Sequence, residues 1–67
     1  MIAKSRDILK RDGMEYGVIC ADEECFVIGR RFYNIEQKCY TTDYTYLEAY
    51  SNDEEINTLS DLNFIKI

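Results

Sequence analysis

The sequence predicts a mainly β domain, folded as a small, strongly bent antiparallel sheet or an SH3-like barrel of about five short strands. Three observations lead there. Asp12-Gly13 is a turn dipeptide flanked by Ile8 and Leu9 on one side and by Tyr16, Val18, Ile19 and Cys20 on the other. Such a pair is a strong hairpin signal because both positions tolerate positive φ. CFVIGRRFYN, residues 25–34, is rich in Val, Ile and Phe, and residues 40–50 mix threonine with tyrosine, types that favour extended backbone. With 67 residues and no proline, the chain reads as a single domain, residues 1–67. Folding at this size hides only about 60% of the surface of the unfolded chain, so each apolar residue matters.

Taken in order, residues 5–12 read as the first arm of the Asp12-Gly13 hairpin. A short helix with Ser5 as N-cap and Gly13 as C-cap competes, but two turns without an apolar stripe bury little. Ala21 to Glu24 is polar and short, a second turn. Gly29 interrupts the run that follows, as glycine does at a bulge or a sharp bend. Asn34 to Lys38 reads as a loop. In the next segment a strand puts Tyr44, Tyr46, Glu48 and Tyr50 on one face, with Thr45, Leu47 and Ala49 on the other; a helix would align Tyr40, Tyr44 and Leu47. The threonines and tyrosines favour the strand. SNDEEINTLSD is turn-like, with room for one helical turn capped by Ser51 or Asn52. The terminal LNFIKI stays apolar to its last residue, which predicts that it tucks into the sheet and that Phe64, Ile65 and Ile67 are buried.

The charge is uneven. Residues 1–31 balance six bases against six acids, whereas residues 32–67 hold two bases and seven acids and account for the whole net charge of −5. From Thr41 to Asp61 there are six acids and no base. That half repels phosphate, so direct nucleic-acid binding is not expected. No run is apolar or long enough to cross a bilayer and MIAKSRDILK lacks a signal peptide's apolar core, so the expected location is the cytoplasm. Cys20, Cys25 and Cys39 are an odd number, and Cys20 and Cys39 sit among apolar or aromatic neighbours; reduced thiols packed as small hydrophobes are expected.

Most chemistry is missing. Without histidine the common general base and the common zinc ligand are both absent. The cysteines form no CxxC pair, and no glycine-rich phosphate loop exists. An enzyme is not expected, and no cofactor or metal is implied. Arg30-Arg31, beside Phe32 and Tyr33, reads either as a contact for an acidic partner or as strand charges paired with nearby carboxylates. Two arginines are too small a footprint for nucleic acid.

The tail YSNDEEINTLSDLNFIKI, through Tyr50, Asn52, Asp53, Asp61, Leu62, Lys66 and Ile67, resembles short proteins encoded by phages and prophages of Gram-positive bacteria that end in a DLDIxKI-type strand. The front, ILKRDGMEYGVI, is similar to their opening hairpin. Asn63 and Phe64 depart from that pattern. The resemblance covers about a third of the chain. It implies a compact β fold and a phage setting inside a host cell, and brings no catalytic residue.

Residues 40–55 hold four tyrosines, five acids and no base. Two readings stand: a solvated face, or a face that recognises a basic protein surface. The preferred expectation is recognition, with Tyr44, Tyr46 and Tyr50 as anchors around Glu48 and with Asp53, Glu54 and Glu55 steering the encounter. In a phage setting this suits counter-defence: binding and inhibiting a nucleic-acid-handling host protein such as a CRISPR-type defence nuclease, whose grooves are basic. The alternative is a structural or assembly module in which charge serves only solubility.

Overall fold

A computed structural model describes all of residues 1–67. Asp12 and Gly13 both take positive φ, 53° and 79°, as a tight two-residue hairpin requires. They join β1 (Ile8–Arg11) to β2 (Met14–Ala21) with Arg11 opposite Met14, so residues 8–11 are strand and not helix. The second turn is held by Asp22, whose Oδ1 accepts the amides of Glu24 at 2.8 Å and Cys25 at 2.9 Å. It leads into β3 (Cys25–Asn34). Asn34 closes the third turn in the same manner, accepting the amides of Glu36 and Gln37, and β4 (Cys39–Ser51) follows. After a run of turns without helix, β5 (Ile65–Lys66) pairs with β1.

The order is β4-β3-β2-β1-β5, with every pairing antiparallel. The sheet is open and not an SH3-like barrel: β4 and β5 are its two edges, and no strand joins them. Two irregularities shape it. Ile19 is an extra residue in β2, since Val18 faces Ile28 while Cys20 faces Val27. In β4, Leu47 faces Gly29 and Asp43 faces Arg30, so Tyr44, Thr45 and Tyr46 have no counterparts on β3. The expectation of a bulge or bend at Gly29 is met here. A side chain at Gly29 would come within 2.6 Å of Thr42 Cγ2 and 3.0 Å of the Asp43 carbonyl, a space that only glycine leaves open.

One face of the sheet carries the core. Leu9, Tyr16, Val18, Phe26 and Ile28 are buried on it, with Ala3 and Phe64 packed on from the two terminal segments and Leu59 and Leu62 beside them. Phe64 meets Tyr16 and Tyr50 edge-on, with ring centroids 5.8 and 5.5 Å apart. Burying such a ring contributes about 2–3 kcal/mol. The tail therefore joins the sheet as expected, but only Phe64 among its large apolar residues is buried; Ile65 and Ile67 are 70% and 67% exposed. Ile65 pairs with Lys10, and alternation sends its side chain to the face that carries no core.

The cysteines also depart from the expected packing: all three are exposed. The Ile19 bulge shifts the alternation of β2, so that Ala21 and not Cys20 packs against the core. Cys39 lies on a two-stranded arm. Pairing of β2 with β3 ends at Tyr16 and Arg30, so the β3–β4 hairpin runs on alone and helps stretch the molecule to 41 × 21 × 17 Å. No helix is long and apolar enough to cross a membrane.

Candidate binding surface

β4 contributes four of the sequence-predicted residues, and its bulge divides them. Downstream of the bulge, Glu48 and Tyr50 lie opposite Ile28 and Phe26, on the core face. Tyr46 is turned to the same face, 6.5 Å from Tyr16 between ring centroids. Glu48 Oε1 accepts the Tyr46 hydroxyl at 2.5 Å, and Oε2 accepts the Tyr50 hydroxyl and the Arg11 guanidinium, the latter at 3.2 Å. Arg11 also donates to the Tyr50 oxygen at 3.2 Å and lies 4.4 Å from the Phe64 ring centre. All four polar side chains of this cluster are half-buried.

Electrostatics follows from that packing. The Tyr46 hydroxyl, then the Tyr50 hydroxyl and Arg11, hold the Glu48 carboxyl below the ordinary glutamate range even though burial opposes them. Donation to the Glu48 carboxylate raises the Tyr46 pKa, while burial, then the same carboxylate, raises that of Tyr50. Arg11 is held more firmly charged, chiefly by Tyr50. The cluster is an ion pair bracketed by two phenols that remain protonated at neutral pH. It ties β1, β4 and the Phe64 segment together.

Tyr44 is on the other side of this division. It is 66% exposed and lines a groove on the opposite face with Gly17, Thr42 and Arg31. The expected common face of Tyr44, Tyr46, Glu48 and Tyr50 is therefore not formed, because the unpaired residues 44–46 break the two-residue alternation. The arginines of β3 are both occupied. Arg31 pairs with Glu15 at 2.5 Å and lies 4.0 Å from the Tyr40 ring centre. Arg30 stacks 4.6 Å from the Tyr46 ring centre, with its buried Nε making no hydrogen bond.

Asp53, Glu54 and Glu55 are exposed, in the turn directly after β4. What places them is Asn52, fully buried beside them. Its Oδ1 accepts the amides of Ile2 at 2.9 Å and Ala3 at 2.8 Å, and its Nδ2 donates to the carbonyls of Ala3 at 2.9 Å and Asp22 at 2.8 Å. Its own amide donates to the Glu24 carbonyl at 3.0 Å. One side chain thus clamps the N-terminal segment, the β2–β3 turn and the end of β4. The consequence is electrostatic: Asp22, Glu23 and Glu24, all exposed, are brought to the same end of the sheet as Asp53, Glu54 and Glu55. The one ion pair on these six acids is the Met1 ammonium with Glu54 at 3.5 Å.

Sequence reasoning read Ala21–Glu24 only as a polar turn and did not join its acids to the candidate face, because residues 1–31 sum to zero charge, which hides a local run. It also missed Asn52 as a clamp and Arg11 as the partner of Glu48. The triplet could have been found by comparing the charges of turns instead of halves. No group of three or more His, Cys, Asp or Glu side chains is arranged to hold a metal ion. No family model, curated protein or solved structure matches the chain.

Proposed function

We propose that this protein is a non-catalytic binding domain whose acidic end engages a basic surface of a partner protein. With the phage resemblance, the reading sharpens to an inhibitor of a nucleic-acid-handling host protein, such as a defence nuclease, that occupies a groove built for phosphates. The observation that carries it is the convergence of Asp22–Glu24 and Asp53–Glu55 at one end of the sheet through Asn52. Acids of one sign on neighbouring turns make a directed field, which accelerates encounter with an opposite charge. Beside them runs β4, an edge strand of 13 residues, which offers backbone groups for a partner to pair with.

The test is capture of the partner, followed by association kinetics at two ionic strengths. Glu23, Glu24, Glu54 and Glu55 are the residues to reverse to lysine, because Asp22 and Asp53 use their carboxylates to hold turns. Reversal is expected to slow association by about tenfold or more at low salt and to flatten its salt dependence. An unchanged on-rate and salt slope would refute the reading.

The assembly alternative has its own support in the arm, where Phe32, Tyr33, Ile35 and Tyr40 are 41%, 51%, 81% and 56% exposed. Binding that ignores salt and is lost on Ile35→Asp would favour it.

A further inference from the structure

The face of the sheet opposite the core has a trench across it. Ile8 pairs with Gly17, Gly17 with Gly29, and Gly29 with Leu47, so one row of the sheet lacks side chains on its two central strands. Thr42 lies over this row: its Oγ1 is 3.1 Å from where a Gly17 Cβ would stand. The bulged Ile19 leans in from β2, its Cδ1 3.0 Å from the corresponding position on Gly29. Thr42 and Ile19 thus cover the Gly29 part of the row, and what stays open is a groove of about 380 Å³ on its Gly17 and Ile8 side, near the small end of the roughly 300–1,000 Å³ range of ligand pockets.

Two arginines, Arg6 and Arg31, are among the residues that line it. Arg31 donates from one nitrogen to Glu15, and a guanidinium has further donors to offer. Arg6 makes no side-chain hydrogen bond or ion pair; only its backbone amide is engaged, with the Val18 carbonyl at 3.0 Å. Asp7 also lines the groove, but its charge is met by Lys66 at 3.0 Å and by the Lys4 amide at 2.9 Å. The free positive charge of the groove is therefore that of Arg6.

Arg6 also sits where an arginine is costly. The Asp7 amide bonds the Lys4 carbonyl at 3.1 Å, and Arg6, third residue of that turn, has φ of 75°. Turns of this kind take glycine or asparagine at that position, because a Cβ is strained there. Strain at a side chain with no structural partner points to a use for the side chain outside the fold.

We propose that the groove is a binding site for the carboxylate of a small organic acid, held by the Arg6 fork with the hydroxyls of Thr42 and Tyr44 beside it and the acid's apolar body against Ile8 and Ile19. Guanidinium matches a planar carboxylate in a bidentate pair. A single negative charge fits better than a dianion, because Arg6 is the one unpaired positive charge of the groove and the whole chain carries −5. The site lies on the face opposite the Arg11–Glu48 cluster and goes beyond the acidic-end reading, which stands or falls separately.

The experiment is an NMR titration of the full chain with benzoate, with benzamide as its uncharged counterpart and inorganic phosphate as the dianion, repeated on Arg6→Gly and Arg6→Gln. Benzoate is expected to shift the amides of Gly17, Ile19 and Thr42 saturably, and to bind at least tenfold more tightly than benzamide or phosphate. Both variants are expected to lose at least tenfold in benzoate affinity. Arg6→Gly should melt at or above the parent temperature, since it relieves the turn, and Arg6→Gln should melt with the parent. Equal binding of benzoate and benzamide, tighter binding of phosphate, or retention of benzoate binding by the variants would each overturn the assignment. A clear loss of stability in Arg6→Gln would also overturn it, by showing that the guanidinium serves the fold.

Discussion

The two halves of β4 each hold two tyrosines and one acid, and those tyrosines have opposite fates. Upstream of the bulge, Tyr40 and Tyr44 are 56% and 66% exposed; downstream, Tyr46 and Tyr50 are half-buried and bonded to Glu48. Both halves pair with β3. The difference is what lies across the sheet. The downstream half sits over the core and under the segment that ends at Phe64, whereas Tyr40 lies on the arm beyond the β2–β3 pairing and Tyr44 on the face that carries no core. A tyrosine in a strand is an anchor for the fold or a free surface according to whether another layer covers its face.

The largest break in this contrast is expected from removing the covering layer. Deleting Phe64–Ile67 takes away the ring that packs on Tyr16, Tyr50 and Arg11, together with β5. Loss of a buried phenylalanine alone costs about 3–5 kcal/mol, comparable with the whole stability of a domain this small. The truncated chain should be unfolded by circular dichroism, with collapsed amide dispersion. A melt within a few degrees of the parent would show that the downstream half holds without its cover.

Asn52→Ala comes next. It strands the buried amide and carbonyl of Ala3, worth about 1–3 kcal/mol each when left unsatisfied, and the half-buried amide of Ile2 and carbonyl of Asp22. A drop of about 3 kcal/mol in denaturant stability is expected. Faster hydrogen exchange at Ile2, Ala3 and the β2–β3 turn should accompany it. Uniform exchange across the chain would refute the clamp.

Glu48→Gln should cost about 1–2 kcal/mol at neutral pH, because the group is partly exposed. Its pH dependence carries more information. Glu48 is held below the ordinary range in the fold, so its contribution is complete above the unfolded value of about 4.3 and is lost as pH falls through the lower folded value. Asp7 is lowered too: burial raises it, but the Lys4 amide and Lys66 outweigh burial. Parent stability should decline with acid below that range, and Glu48→Gln should flatten the decline. Parallel curves would remove Glu48 from a stabilising role.

The smallest effect sharpens the comparison from its exposed side. Tyr44→Ala should change stability by no more than about 0.5 kcal/mol, whereas Tyr46→Ala and Tyr50→Ala should each cost several times that. The sequence-based expectation that Tyr46 and Tyr50 are hot spots of binding thereby becomes an expectation about folding. Equal melting of all three variants would erase the distinction between the halves.

Much of this was legible before the fold. The Asp12-Gly13 turn is chosen by two adjacent residues, and Asp22 and Asn34 hold turns with their own side chains, so these features depend on neighbours in sequence. The extended runs were equally plain, because Val, Ile, Thr, Phe and Tyr favour extended backbone wherever they are placed. Half of the candidate surface was also visible, as the run Asp53–Glu55. The exposure of the cysteines and of Ile65 and Ile67 was not, since each depends on which face a bulge or an edge pairing assigns.

The sequence by itself determined an antiparallel β domain, the positions of its turns and an excess of acid in its second half, because each rests on local backbone preference or on simple charge. Only the tertiary structure decided that the sheet stays open and that Tyr46, Glu48 and Tyr50 turn inward to Arg11. It also decided that two acidic triplets thirty-one positions apart, Asp22–Glu24 and Asp53–Glu55, share one end. Those outcomes depend on register: unpaired residues at Ile19 and at 44–46 reset which side chains meet. Nothing in local propensity records a partner that the chain reaches only after three reversals.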